Sequence, residues 1–284
     1  ALMFGDMVFE MTRSFNNVQF KLREHIERLH ASMKAVRMPV IMSIEEMEAA
    51  VQETIEANAP AFEADDEHRI MIDVSRGLLS IYEDVLELSK GPNVIIADFP
   101  LRWTVAGMGR LFDVGINAVI PSQRAIPAGL MDPKIKSRSR LHYLTANIEV
   151  SNYAGEDNWA LLLDPDGFIA EGTGDNFFIV KDGIIITPEG RNILRGISRA
   201  YVLDVLAPQL GLERFERNIE AYDVLTADEA FMTGTPFCVL PVTSLGSEPI
   251  GDGKVGSKTR AMFETYDAAT RGRLPQYEHW LTAV

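Results

Sequence analysis

Two periods of apolar residues divide the start of the chain. In GDMVFEMTRSFNNVQFKLREHIERL the first residues read as a strand and Asn16–Asn17 as a turn. The remainder is helical, because Leu22, Ile26, Leu29, Met33 and Val36 recur at helical spacing. SIEEMEAAVQETIEA opens a second helix, since Ser43 followed three residues later by Glu46 is a capping box. HRIMIDVSRG and PNVIIADFP have the composition of strands. The glycines and the basic residue of AGMGRLFDVG then break the pattern near residues 106–115. This predicts a small domain over residues 1–110 and a larger one over 115–284. In the second domain the pattern predicts a strand (INAVIPS), a helix (RLHYLTANIEVSNYA) and a hairpin turning at DPDG. A strand (GIIITP), a helix (ISRAYVLDVLAPQL), a short helix (TADEAF), the strands FMTGT and FCVLPVTSL, and a last helix from Ser257 follow. The fold class is α+β in two unequal halves, without internal repeats.

One polar interruption stands out. EGTGDNFFIV sets Glu171 between the apolar WALLLDPDGFIA and the apolar FFIV, where a carboxylate is either wasted or paired with something cationic. Composition narrows the alternatives. The 284 residues, 46% hydrophobic and 24% charged, suffice for a sizeable core. The net charge of −14, with acids spread along the chain, argues against a nucleic-acid partner, which requires a basic surface. No apolar run reaches membrane-spanning length, and the opening residues lack a basic segment followed by an apolar block. The single cysteine, Cys238, leaves no internal disulfide, fits a reducing compartment, and reads as a small hydrophobe within an apolar strand. Five scattered histidines give no metal-site spacing, so no metal is expected, and GDGKVGSK lacks a phosphate-loop ending and reads as a surface turn. A cytoplasmic enzyme or binding protein is the expectation.

Three further stretches each admit a plain and a chemical reading. In NILRGISRAYVLDVL, Gly196, Ile197 and Ser198 start an amphipathic helix whose first-turn amides can bind an anion, or Ser198 simply caps it. In FMTGTPFCVLP, Gly234 and Thr235 form a turn, or the hydroxyl is a phosphate ligand. In PKIKSRSRLHYL, Lys134, Lys136, Arg138 and Arg140 share one parity. If extended, they share a face, which is otherwise a solvated basic strand.

Together these pieces, a lysine before a helix, an acid opening the strand of EGTGDNFFIV, the Gly-Ile-Ser start in LRGISR and the Thr-Gly-Thr of FMTGT, resemble the class IV (fold type IV) pyridoxal-phosphate aminotransferases. That family includes the branched-chain and D-amino-acid aminotransferases. The resemblance covers nearly the whole chain, including GDMVFEMTRSFNNVQFKLREHIERLHAS, and implies a small N-terminal α/β domain and a larger C-terminal domain with a barrel-like core.

The resemblance also implies roles. Glu171 would face the pyridine nitrogen of pyridoxal 5'-phosphate and favour its protonated form, the better electron sink. Lys136, thirteen residues before Glu149, would be the Schiff-base lysine and proton shuttle, with Lys134 the alternative. Matching HYL to the NYL of branched-chain enzymes would instead put Arg138 at the lysine's place; an arginine cannot serve there, so a local shift is implied. The phosphate would be held by Arg28, the amides of Ile197 and Ser198, and Thr235.

Departures bear on the substrate. Phe15 and the segment RGLLSIYEDV lack the Tyr and the Arg-x-His that D-amino-acid aminotransferases use for the substrate carboxylate. Gly234 and Pro236 flank Thr235 in the substrate loop, and Pro236 has no N–H where branched-chain enzymes offer an amide, so Arg138 or Arg140 is the candidate replacement. The leading residues run straight into the first strand, without the short segment usual in the family. The expected activity is transfer of an amino group from an amino acid or amine to a 2-oxo acid, by a homodimer in the cytoplasm. A lyase of the aminodeoxychorismate type on the same fold, or a cofactor-free binding protein descended from it, is the alternative.

Overall fold

The computed structural model describes residues 4–78, 91–274 and 281–282. Its contacts group into two units. The first comprises residues up to Thr104 together with Ile135–Arg140 and the two-residue strand Leu281–Thr282; the second comprises Val105–Lys134 and Leu141–Pro275.

The first unit is an antiparallel sheet backed by two helices. Strands β1 (Met7–Phe15), β2 (Val18–Phe20), β3 (His68–Ser75) and β4 (Asn93–Pro100) lie in the order β2-β1-β3-β4, with Leu281–Thr282 on the outer side of β2. Asn16 and Asn17 turn the first hairpin at positive φ, 53° and 61°, a conformation that asparagine tolerates better than most residues. The hairpin adds β2 between the turn and the helix, an element too short for its periodicity to be read. Helix α1 (Leu22–Ala35) lays Leu22, Ile26, Leu29 and Met33 against Val8, Ile70, Ile72 and Val74, and α2 (Ile44–Asn58) adds Met47 and Val51. The expected capping box forms: Ser43 Oγ accepts from Glu46 N at 3.1 Å, and the Glu46 carboxylate accepts from Ser43 N at 2.7 Å. Alternation along β1 turns Val8, Glu10 and Thr12 towards the helices and Phe9 and Met11 to the other face.

The second unit is built on a closed barrel. Strands β5 (Ile116–Val119), β6 (Asn158–Leu163), β7 (Ile169–Gly172), β8 (Asn176–Lys181), β11 (Glu229–Gly234) and β12 (Cys238–Leu245) run round it. The circuit is β8-β11-β12-β5-β6-β7 and back to β8. Pairing is parallel at β12–β5 and β5–β6 and antiparallel elsewhere. Closure rests on the Glu171↔Asn176 pair; past it that edge of β8 pairs with β9 (Ile184–Thr187), which carries β10 (Arg214–Glu216), while the other edge stays on β11. Leu161 joins the cluster of Ile116, Phe177, Met232 and Leu240, whereas its neighbours Ala160 and Leu162 pack with Ala146 and Val150 of helix α3 (Leu141–Val150). That alternation gives a filled barrel with a helix packed outside it.

Two expectations are corrected. Glu171 does not open a strand; it lies at the end of β7, and Gly172–Asp175 make the turn into β8. TADEAF is not a helix. The short helix is Ala221–Leu225, and Glu229 begins β11, where its carboxylate accepts the amides of Lys258 and Thr259 at 3.0 and 2.7 Å at the start of helix α5 (Ser257–Thr270). Ladder pairing with β8 and β12 outweighs the helix-forming composition of that segment.

Candidate active site

In the first unit, residues 136–138 are fastened along the edge of β1. Phe9 N donates to Lys136 O and Arg138 N donates to Met7 O, each at 2.9 Å, around an antiparallel bridge between Val8 and Ser137. Lys136 N also donates to Ser32 Oγ of α1 at 3.2 Å. The backbone beneath Lys136 is therefore fixed from two sides, and its parity is set by the bridge. Lys136, Arg138 and Arg140 gather about the buried Phe9 ring: Nζ of Lys136 is 4.9 Å from its centroid, and the guanidinium carbons of Arg138 and Arg140 are 3.8 and 5.5 Å away. The shared parity does place these three on a common aromatic. Lys134 is elsewhere, in the second unit, where Nζ meets Asp132 at 2.7 Å and donates to Arg191 O at 3.1 Å. Arg138 is committed to Asp73 of β3 through Nε and Nη2 at 2.6 and 3.0 Å.

Arg28, on α1, meets the fully buried Glu10 of β1: Nε donates to one carboxylate oxygen at 2.6 Å and Nη2 to the other at 2.8 Å. His25 Nδ1 lies 2.7 Å from the same carboxylate. Burial opposes ionisation of Glu10, but Arg28 and His25 outweigh it and hold the carboxyl far below the usual carboxylate range. His25 is pushed down, first by burial and further by the charges of Arg28 and Lys136, so the imidazole is neutral near pH 7 and its Nδ1–H donates to Glu10.

In the second unit Glu171, 5% exposed, is held by three neutral donors. Tyr143 Oη reaches Oε1 at 3.0 Å, and Asn176 Nδ2 and Leu194 N reach Oε2 at 3.1 and 3.0 Å. Asn176 Nδ2 also donates to Leu194 O at 2.9 Å, tying the barrel seam to the chain that leads into helix α4 (Ile197–Tyr201), the start of the predicted helix over ISRAYVLDVLAPQL. Gly196 caps that helix without a side-chain bond, and a Cβ there would lie 2.1 Å from Asn176 Oδ1. Only glycine lets the helix start so close to the seam. The amides of Ile197 and Ser198 are in the first turn, which lacks intrahelical acceptors. Thr233, paired in register with Asn176, has a buried Oγ1 that finds no hydrogen-bond partner among the described residues. Thr235 and Pro236 form the turn between β11 and β12, after Gly234, whose Cβ would collide with the Phe237 ring at 2.7 Å. The structure thus brings Glu171 beside the Gly196 helix start within one unit; in the other it gathers Lys136, Arg138 and Arg140 about Phe9 of β1 and sets Arg28 on α1 against Glu10 of the same strand. Residues 79–90, into which the segment after Arg76 runs, lie outside the described set.

Several participants escape sequence reasoning. Asn176 and Tyr143 carry a signal only in hindsight, as polar residues at the mouth of an apolar strand and on a mixed helix. Glu10 had a clearer one, an acid on the same strand parity as Val8. Within the second unit, a buried carboxylate on neutral donors, the glycine-led first-turn amides and a buried hydroxyl with no hydrogen-bond partner among the described residues suit a phosphorylated pyridine; the first unit by itself carries a backbone-fixed lysine and an arginine held by Glu10.

Comparison with known proteins agrees. The family described as amino-transferase class IV matches residues 7–245. A putative branched-chain-amino-acid aminotransferase of Methanocaldococcus jannaschii is 36% identical over 280 residues, covering 98% of this chain and 92% of that protein. The branched-chain-amino-acid aminotransferase of Escherichia coli strain K12 is 31% identical, covering 100% of this chain and 90% of the relative. Among solved structures, the T.th. branched-chain amino acid aminotransferase with pyridoxamine 5'-phosphate superposes with a TM-score of 0.86 at 31% identity, covering 100% of this chain and 91% of that one. The chain belongs to the class IV aminotransferases and is a branched-chain-aminotransferase-like transaminase with pyridoxal 5'-phosphate as its cofactor.

Proposed function

We propose that this transaminase takes its amino group from aliphatic, branched-chain amino acids and exchanges it with the glutamate/2-oxoglutarate pair. The observation that carries the enzymatic reading is Glu171, held on the barrel seam by Tyr143, Asn176 and Leu194 beside a glycine-led helix start. For the substrate class, relatives named branched-chain-amino-acid aminotransferases give one support. A T.th. enzyme structure complexed with N-(5'-phosphopyridoxyl)-L-glutamate and another with 4-methylvaleric acid give a second. An amino-donor panel against pyruvate and 2-oxoglutarate tests it. Leucine, isoleucine and valine should lead with 2-oxoglutarate, and a preference for D-amino acids or simple amines would overturn the substrate reading.

When bound, the cofactor supplies an electron sink for the substrate's Cα. The protein's own groups do the rest. Lys136 Nζ would carry the proton, Glu171 would favour a positive charge on the ring nitrogen, and Arg28, the Ile197 and Ser198 amides and Thr235 would be the groups offered to the phosphate. Phe9 sets its ring beside the lysine amine, 4.9 Å from centroid to Nζ. Gly234 and Pro236 shape the substrate loop, and because Pro236 offers no N–H the α-carboxylate needs another cation.

Arg140 and Arg138, the latter also paired with Asp73, are the two candidates for that carboxylate. Arg140→Gln should raise KM for an amino acid roughly tenfold or more relative to a matched simple amine, the loss expected for a charge-assisted hydrogen bond. Arg138→Gln is the parallel test, with the same rise expected if that guanidinium is the ligand. Equal effects on amine and amino acid in both variants would exclude either arginine as carboxylate ligand.

We also infer a homodimer. Leu141, Leu144 and Ile148 of α3 are 71%, 54% and 56% exposed along one helical stripe, a surface suited to a second copy. Sedimentation at the mass of one 31.6 kDa chain with full activity would refute this. None of the described helices is long and apolar enough to cross a membrane, and a cytoplasmic location fits the lone, buried Cys238.

A further inference from the structure

The Glu10 carboxylate takes part in none of the chemistry above, yet it is 0% exposed in the centre of β1, on the strand face that packs apolar residues against α1. An ion pair in that place is a poor way to stabilise a core, because apolar side chains of the same volume do as well or better. Its contacts are directional. Both carboxylate oxygens engage the Nε–Nη2 edge of Arg28, at 2.6 and 2.8 Å, and the second also takes the Nδ1–H of His25 at 2.7 Å. His25 and Arg28 are three residues apart on α1 and so share one face of it, with the carboxylate gripping both. The histidine side chain is 1% exposed, whereas that of Arg28 is 15% exposed. The cluster is therefore anchored at its buried end and presents a guanidinium at its outer end. A side-on, two-bond grip on a planar guanidinium fixes its plane and its direction, which a single bond would not.

We propose that Glu10 is a positioning residue that aims Arg28 at the cofactor's phosphate, with His25 as its second tether. The proposal rests on the reading that Arg28 binds that phosphate. Without the carboxylate, Arg28 would sample several rotamers and would have to be ordered each time an anion binds. A positioning role, unlike a packing role, must show in phosphate recognition and must act through Arg28.

The test compares binding of pyridoxal 5'-phosphate and of unphosphorylated pyridoxal to the full chain freed of cofactor, by equilibrium dialysis, with melting temperatures measured alongside. Glu10→Gln keeps the shape and the His25 contact. It should lower the ratio of the two affinities by about tenfold, the order expected when a charge-assisted contact loosens, while pyridoxal binding changes little. Arg28→Gln should lower the ratio further, and adding Glu10→Gln to it should lower it no more. An unchanged ratio in Glu10→Gln with a reduced one in Arg28→Gln overturns the proposal and leaves the phosphate reading standing. An unchanged ratio in both overturns the two together. Should Glu10→Gln not fold, Glu10→Asp keeps the charge and withdraws it by one methylene; the ratio should again fall, and an unaltered ratio there also overturns the proposal.

Discussion

Replacing Lys136 with alanine is expected to remove the lysine Schiff-base band from the absorption of the bound cofactor and to cut turnover by on the order of 10⁴-fold or more, the scale seen when the nucleophile of a catalytic unit is removed. The fold should survive, because the segment is held by its backbone: Phe9 N on Lys136 O, Lys136 N on Ser32 Oγ, Arg138 N on Met7 O. None of those bonds involves the side chain. Lys134→Ala loses only a surface ion pair with Asp132 and a bond to Arg191 O, together worth about 1 kcal/mol or less, and should retain the absorption. A direct readout complements the variants. Borohydride reduction of the holoenzyme fixes the cofactor to whichever lysine carries it, and peptide mass analysis then identifies the residue. Label on Lys134, or an active Lys136→Ala, would show that the register is wrong by two residues.

The register was the hardest part to read from sequence, and the reason is physical. An extended segment carries its information in parity alone, and Lys134, Lys136, Arg138 and Arg140 all share one parity. What separates them is a long-range bridge between Val8 and Ser137, which fastens residues 136–138 to β1, while Lys134 stays with its neighbours Asp132 and Arg191. Local signals did far better. The Ser43–Glu46 capping box, the Asn16–Asn17 turn and the apolar stripe of α1 depend on neighbours within a few residues, and each appears where expected. TADEAF failed for the opposite reason: its composition favours helix, but β8 and β12 on either side claim it for the barrel. The site shows the same division. Glu171 and the Gly196 start are visible as motifs, whereas Asn176 and Tyr143 join Glu171 only because the barrel closes at that pair and α3 packs alongside. Glu10 is only partly legible: its parity with Val8 marks an acid facing the core, but its role depends on partners on α1, fifteen and eighteen residues away.

Glu171→Gln tests the other half of the chemistry. The amide fits the same cradle: its oxygen can accept from Asn176 Nδ2 and Leu194 N, and its NH₂ can donate to Tyr143 Oη, whose hydroxyl rotates to accept. Stability should therefore change little, and the affinity for pyridoxal 5'-phosphate, set largely by the phosphate ligands, should stay within a few-fold. What the amide cannot do is favour a positive charge on a ring nitrogen. Each unit by which that nitrogen's pKa falls removes about 1.4 kcal/mol of support for the protonated ring. A loss of two to three units corresponds to a half-reaction slowed by roughly 10²–10³-fold. The measurement is single-turnover stopped flow with leucine, following the cofactor's own absorbance. Asn176→Ala offers a graded comparison, since it removes one donor from Glu171 and one tie to Leu194 at the seam yet leaves the carboxylate in place. It should slow the same step by less than Glu171→Gln does. A Glu171→Gln enzyme that turns over within about threefold of the parent would mean that the carboxylate serves the barrel seam alone, and that some other group supports the ring nitrogen.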